Sequence, residues 1–399
     1  MNSASPSDAS ATPTRAIAIL AVASFASAAN LRVCDALLPQ VAGELGVTIG
    51  TAALMVTAFA VAYGLFQIVV GPLGDARGKL LMVVGGSIWA GVFTLVAAAM
   101  PSLGPLVLAR FLGGAGGAAV IPVAIAWIGD VVPYERRQPV LARFLSGQIL
   151  GIVFGQAAGG LLGELVGWRG ALVALALVHI AAGLLLNAER RRLSVGVPAP
   201  TRARWREAAL LAWQILQRPW ARIVLATVFF EGSAMFGALA YVGADLHLRF
   251  GLGLGVVGAL LASFGAGALL YALTAGRMMA RLGRSGLALA GAAILAAGYT
   301  TLALMPWPWL APPAIAAIGL GFYMFHNTLQ TEGTQMAPEA RGLAMSLFAF
   351  VLFVGQSAGV ALAAPIMDRW GGGPIFLFTA AAVLAIAVWF RAQLVRRPG

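Results

Sequence analysis

The sequence predicts an all-α integral membrane protein: twelve transmembrane helices in two parallel-repeat six-helix halves. Three observations predict it. Apolar residues make up 60% of the 399 and charged residues 10%, against roughly 45–50% and 25% in soluble domains. Twelve stretches are each long and apolar enough to cross a bilayer, which takes about 20 residues. The glycines of the second half repeat those of the first at a nearly fixed offset.

The same composition excludes several classes. With mean hydropathy +0.90, the chain has too little polar surface to be soluble, disordered or a nucleic-acid binder, despite a net charge of +12. A single cysteine, Cys34, excludes an internal disulfide or a Cys-based metal centre. His179, His247 and His326 are far apart and form no HExxH pattern, and no G-x-x-x-x-G-K-[ST] phosphate loop occurs. The expectation is therefore a non-enzyme with no metal and no cofactor.

Spans 1 and 2 are expected at 16–39 and 47–70, and spans 3 and 4 at 80–101 and 104–128. Gly71-Pro72-Leu73-Gly74-Asp75 and Pro101-Ser102-Leu103-Gly104-Pro105 carry the turn chemistry that separates the second, third and fourth. Spans 5 and 6 fall at 141–163 and 168–188. Spans 7 to 12 fall at 219–243, 254–275, 286–305, 309–331, 342–365 and 373–391, with Met305-Pro306-Trp307-Pro308 between the ninth and tenth. Residues 189–218 are the only long polar stretch inside the chain, so the expected division is an N-terminal bundle (1–188), a cytoplasmic linker (189–218) and a C-terminal bundle (219–399). Within the linker, 205–217 has amphipathic helical spacing and is expected to lie on the membrane interface. Ala26-Ser27-Ala28 resembles a signal-peptide cleavage site, but no basic segment precedes it and the apolar stretch runs on past it.

Of the 26 Lys and Arg, 21 fall on loops that an even number of crossings assigns to one side, three on the other, and two, Arg32 and Arg110, inside spans. That asymmetry predicts cytoplasmic termini in a bacterial inner membrane, with attraction to anionic lipid as a by-product.

The internal repeat runs at an offset of 205: Gly71 and Gly78 match Gly276 and Gly283, Leu45-Gly46 matches Phe250-Gly251, and Gly114 and Gly116 match Gly319 and Gly321. Later it falls to 200, where Gly155-Gln156-Ala157-Ala158-Gly159 matches Gly355-Gln356-Ser357-Ala358-Gly359. Six spans return each half to the same side, so the repeats are parallel. Two enzyme-like matches fail by context. Gly355–Gly359 fits G-x-S-x-G in mid-span, and Gly253–Gly258 fits G-x-G-x-x-G with no preceding strand.

Gly71-Pro72-Leu73-Gly74-Asp75-Ala76-Arg77-Gly78-Lys79 resembles the signature between helices 2 and 3 of the major facilitator superfamily, and Gly276–Arg284 is its degenerate copy, with Ala280 in place of the acid. Arg110-Phe111-Leu112-Gly113-Gly114 resembles the helix 4 motif of that superfamily's proton-coupled drug exporters. Gly151-xxx-Gly155-xxx-Gly159-Gly160 resembles its antiporter motif on helix 5, although Gln156 stands where that motif has Pro. The resemblance covers nearly the whole chain. It implies that helices 1 and 4 line a central cavity, that helix 5 packs on helix 8 across the halves, and that the Asp of the first signature latches the halves against the start of helix 11. The latch would comprise Gly71, Gly74, Asp75, Arg77, Gly78 and Arg341, and the interface glycines would be Gly151, Gly155, Gly159 and Gly160. Gly71 and Gly74 are expected to form the turn, with Asp75 at the start of helix 3, where it faces a positive dipole.

Four ionisable groups fall inside spans: Arg32, Asp35, Arg110 and Glu231. Each costs about 2.5–3.5 kcal/mol at the bilayer centre, so they are expected to face one another or a wet cavity and to couple protons to transport. Asp35 is expected about one turn from the end of span 1, in a cluster with Arg32 and Arg110. A carboxylate paired in one conformation and separated in another takes and releases a proton as the halves move. Glu231 has no evident basic partner in its half. Helix 10 is polar at Tyr323, His326, Asn327 and Gln330; with Tyr63, Gln67, Gln148 and Tyr241 these are the expected substrate-cavity residues, for which plain interhelical hydrogen bonding is the alternative. The reading is a monomeric secondary transporter energised by the proton gradient, its partners being a small solute, protons and lipid. Proton-driven export of small amphipathic, drug-like solutes comes first. A proton symporter for a sugar or organic acid and a non-transporting sensor or scaffold stay open.

Overall fold

A computed structural model describes residues 13–193 and 205–396; residues 194–204 of the linker lie outside that description, as do Arg202, Arg204 and Arg397 of the arginine count. Every regular element among the described residues is a helix. Ten are long and apolar enough to cross a membrane. Two of these, Tyr134–Arg192 and Leu254–Leu304, are 59 and 51 residues long. At 1.5 Å per residue each is about twice the length a bilayer needs. Each is two spans joined at a non-helical glycine, Gly167 or Gly283, so the crossings number twelve.

In order, span 1 is Thr14–Arg32 continued by Leu38–Leu45, span 2 is Ile49–Arg77, span 3 is Lys79–Ala99, and span 4 is Leu103–Val131. Spans 5 and 6 are 134–166 and 168–192. The connecting helix is Trp205–Gln217. Span 7 is Pro219–Phe250, spans 8 and 9 are 254–282 and 284–304, span 10 is Ala311–Thr334, span 11 is Arg341–Trp370 and span 12 is Gly372–Arg396.

The positive-φ glycines make the repeat explicit. There are six among the described residues: Gly46, Gly78, Gly167, Gly251, Gly283 and Gly371. They pair as 46 with 251, 78 with 283, and 167 with 371, with φ of 65° and 66°, 96° and 63°, and 75° and 74°. Only glycine takes such angles without steric cost, so the duplicated turns keep it. They also mark the two ends of the bundle. Gly78 and Gly283 sit at one end, and the other four at the opposite end.

Helix contacts repeat in the same way. A Cβ on Gly114 would overlap the carbonyl of Phe59, and one on Gly319 that of Phe264. Gly86 approaches Gly116 as Gly291 approaches Gly321. Gly155 lies against Ala29 of span 1, and its counterpart Gly355 against Phe229 of span 7. The glycine row of span 5 therefore differs from expectation. Gly151, Gly155 and Gly159 pack on Phe25, Ala29 and Val33 of span 1, within the same half. Gly160, one residue further round, meets span 8 at Leu254 and Gly258. The reason is helical phase: residues four apart share a face, and that face is covered by span 1.

Two spans break where a proline has no N–H to donate to the carbonyl four residues back. Pro39 frees the carbonyl of Asp35, and the chain turns through Val33–Leu37 before Leu38–Leu45. Pro122 stands four after Ala118, where span 4 divides into Leu103–Gly117 and Val120–Val131. Span 1 thus extends well past Pro39, and Asp35 lies ten residues, about 15 Å, from Leu45 rather than one turn from the end. The connecting helix also differs: Ile215 is fully buried, and Leu211 and Ala212 pack on the apolar cluster of spans 7 and 11, so this face serves the second half rather than the bilayer interface.

At the Gly46/Gly251 end the apolar core is shared. Leu37, Val41 and Met55 of the first half pack with Tyr241, Val257 and Val360 of the second in one cluster. At the Gly78/Gly283 end the buried cores are separate, one built around Leu80, Val123 and Phe144, the other around Val224, Phe325 and Phe390, with Phe353 of span 11 and Ile68 of span 2, further in along the bundle, packing across. The halves are therefore sealed at one end and parted at the other.

Candidate functional site

Arg110 of span 4 is 2% exposed, and its guanidinium is fully committed to span 1 and its surroundings. It donates to the side-chain oxygen of Asn30, to the carbonyl of Asn30 at 2.9 Å and to that of Met55 at 3.5 Å. It also lies 4.2 Å over the Phe59 ring. Asn30 in turn donates to Thr94 Oγ1 of span 3 at 2.8 Å. Four spans, 1 to 4, are thus tied by a buried network of a charge, an amide, a hydroxyl and the Met55 carbonyl. Asn30 and Thr94 were not anticipated, although an amide in the run Ala28-Ala29-Asn30 of an apolar span is a readable signal.

Asp35 takes no part in that network. It is fully buried, and both of its oxygens lack a hydrogen bond among the described residues. Its ion partner is Arg32, three residues back, at 3.6 Å. The Arg32 guanidinium crosses the divide between the halves and sits 4.3 Å over Phe236 of span 7. Gln156, at the departure from the antiporter motif, lies near Asp35, and its two amide atoms are buried without hydrogen bonds among the described residues. The expected cluster of two Arg and one Asp therefore resolves into two parts: a saturated Arg110 and a loosely partnered Arg32–Asp35 pair.

Glu231 of span 7 is fully buried and does have a basic partner: His326 Nδ1 of span 10 lies 2.9 Å from its Oε2. The pairing was not legible because the two residues are 95 apart in sequence. Glu231 Oε1 has no hydrogen bond among the described residues. The His326 ring stacks on Phe322 at 4.8 Å and faces Phe348 at 5.5 Å. Phe322 meets Phe236 at 5.2 Å. An aromatic path therefore runs from Arg32 to His326 and joins the two carboxylate sites across the halves.

The remaining polar candidates divide. Tyr241 is fully buried and donates to the Val360 carbonyl at 2.9 Å, bracing span 7 on span 11. Tyr63 packs between Phe59 and Phe353. Asn327 donates to Tyr271 of span 8 at 2.6 Å. Tyr323 packs on Phe264 and Phe322. Gln67 is buried, Gln148 is partly buried and Gln330 is exposed.

In the signature stretch, span 2 continues to Arg77, so Gly71 and Gly74 are helical and Gly78 alone makes the turn. Asp75 consequently sits in the last turn of span 2, at the negative end of its dipole, and not at the start of span 3. It pairs with Lys79 at 3.4 Å, and Lys79 also holds Asp130 of span 4 at 2.6 Å. Arg77 and Arg341 are exposed, and no ion pair joins Asp75 to Arg341 among the described residues. The other ion pairs found at this end also stay within one half: Arg15 with Glu189, Arg218 with Glu339, and Arg284 with Glu332.

The family model described as Major Facilitator Superfamily matches residues 20–360. A chloramphenicol resistance protein of Streptomyces lividans is 29% identical over 382 residues, covering 93% of this chain and 94% of that protein. The puromycin resistance protein pur8 of Streptomyces alboniger is 34% identical over 160 residues, or 39% of this chain and 31% of that protein. Among solved structures, a bacterial homolog to the human lysosomal transporter Spinster, in an inward-facing and unoccupied conformation, superposes with a TM-score of 0.76 at 17% identity, covering 99% of this chain and 98% of that one. A mutant of the nucleoside transporter NupG superposes at 0.79 and 12% identity, covering 95% and 99%. These structures share the fold.

Proposed function

The chain belongs to the Major Facilitator Superfamily, and from that premise we propose that it expels small amphipathic, drug-like solutes across a bacterial inner membrane by proton-driven alternating access. The observation that carries this reading is Glu231, fully buried in span 7 and held by one oxygen to His326. A buried carboxylate with a titratable partner stores a proton in one conformation and surrenders it in another. Asp35, with Arg32 at 3.6 Å, is the second carrier. Arg110 holds spans 1, 3 and 4 as one body, through Asn30 and Thr94, so that the two carboxylates move relative to each other with their halves.

With the arginine-rich end in the cytoplasm, the parted Gly78/Gly283 end opens inward. Protons leave Glu231 and Asp35 there as the solute enters. In the opposite conformation Asp75 and Arg341 close the cytoplasmic end, the solute departs and protons reload from outside. The names of the relatives favour efflux over uptake: those proteins confer resistance to chloramphenicol and puromycin.

The test is reconstitution in proteoliposomes with an imposed pH gradient and labelled chloramphenicol as probe. The solute is expected to accumulate against the proton flow in native protein, and Glu231→Gln is expected to abolish accumulation while keeping solute exchange at equal pH. Movement of solute with the proton identifies an uptake symporter instead, and flux of neither identifies a sensor.

A further inference from the structure

Among the described residues, two backbone-to-carboxylate hydrogen bonds join the halves at the sealed end, and they are repeat images of each other. The amide of Gly50, second residue of span 2 after its Thr48 cap, donates to Asp368 Oδ1 of span 11 at 2.8 Å. The amide of Gly255, second residue of span 8 after its Gly253 cap, donates to Glu164 Oε2 of span 5 at 2.6 Å. Gly255 follows Gly50 by 205 residues, and Asp368 follows Glu164 by 204. Each half thus lends a carboxylate to a helix N-terminus of the other. The glycines are part of the device. A Cβ on Gly50 would come within 2.6 Å of Asp368 Oδ2, and one on Gly255 within 2.8 Å of Glu164 Oε2.

We propose that Glu164 and Asp368 are a matched pair of gate residues that hold the Gly46/Gly251 end shut and are released together when the transporter opens there. Free amides and the helix dipole at an N-terminus attract a carboxylate. Here the carboxylate and the helix belong to bodies that must part, so the attraction acts on the conformational equilibrium and not on the helix alone. Both carboxylates are solvent-exposed, which keeps each contact weak enough to break within a transport cycle. The ion pairs found at the opposite end among the described residues, such as Lys79 with Asp130, Arg218 with Glu339 and Arg284 with Glu332, each lie within one half. The inference rests on the alternating-access reading, and its test does not require solute transport.

The measurement is a spin–spin distance across the sealed end, with labels at Gly43→Cys of the first half and Trp307→Cys of the second, in a Cys34→Ser background. A Cβ at Gly43 meets nothing within 4 Å, and Trp307 is 55% exposed. The parent shows one short distance. Glu164→Gln and Asp368→Asn are each expected to raise a longer-distance population about threefold, and the double variant about tenfold, since separate sites add. Glu44→Gln is the control: this exposed carboxylate at the same end pairs with Arg169 of its own half, and its loss leaves the distances unchanged. A double variant that elutes as a single species with unaltered distances overturns the gate, as does an equal shift from Glu44→Gln. A shift in protein that transports nothing keeps the gate and rejects the export reading. Active export with no shift rejects the gate alone.

Discussion

Spans 1–6 and spans 7–12 share a backbone and differ in chemistry. The turns at Gly46, Gly78 and Gly167 recur at Gly251, Gly283 and Gly371, and the contact of Gly114 on Phe59 recurs as Gly319 on Phe264. The buried charges do not recur. Arg110 corresponds to Ile315, His326 to Ile121, and span 7 runs unbroken as Pro219–Phe250 where span 1 breaks beside Asp35. Duplication has therefore preserved what the main chain requires, namely close approach and left-handed turns, while polar side chains changed freely wherever a partner arose. The first half uses Arg110 as a static tie beside the buried Arg32–Asp35 pair. The second holds a carboxylate–imidazole pair suited to proton exchange.

The strongest way to break this comparison is to load the shared skeleton. Gly114→Val and Gly319→Val each drive a side chain into a carbonyl, and each is expected to destabilise by more than about 3 kcal/mol, as overpacking at its upper range does. Equal losses of folded yield and of melting temperature are expected. A large loss in one half only denies the equivalence.

Next in size is the charge that only the first half has. Arg110→Ala leaves Asn30 and its carbonyl without donors inside the bundle and is expected to cost about 2–4 kcal/mol. Arg110→Lys recovers only part, since an ammonium lacks the fork that reaches Asn30 twice. Thermal unfolding in detergent checks both, and Ile315→Ala at the matching position sets the scale for a plain cavity.

Smaller in stability but decisive for transport is the second half's pair. Glu231→Gln and His326→Ala are each expected to lower gradient-driven flux at least tenfold. The double variant should be no worse than the worse single, because the partners act as one unit. Additive losses separate their roles.

Least perturbing is Asp75→Asn. Its side chain is 70% exposed and its link to Lys79 spans 3.4 Å, so the stability change stays below about 1 kcal/mol. On the proposed latch, flux is nonetheless expected to fall while membrane protein level holds. Unchanged flux removes Asp75 from the latch.

These regions also differ in how much the sequence betrays. Hydropathy located the spans because a bilayer admits few alternatives to apolar helices, and glycine spacing located the repeat because positive φ admits few alternatives to glycine. What stayed hidden depended on partners distant in the chain. Asn30 with Arg110, Glu231 with His326, and Glu164 with Gly255 are set by which helices pack together. The position of Asp75 was misplaced because Gly71 and Gly74 read as a turn, yet a packed span keeps glycines helical and leaves the turn to Gly78. The row Gly151, Gly155, Gly159 was visible as a packing face, but nothing local says whether span 1 or span 8 covers it.

Cys34 occupies the break in span 1, fully buried beside Asp35. As the sole thiol, it makes the native chain its own single-site reporter. A membrane-impermeant maleimide is expected to modify it only while a water path reaches Asp35, so reaction rates on right-side-out and inverted vesicles would time exposure of Asp35 from each face, with no engineered label in the bundle.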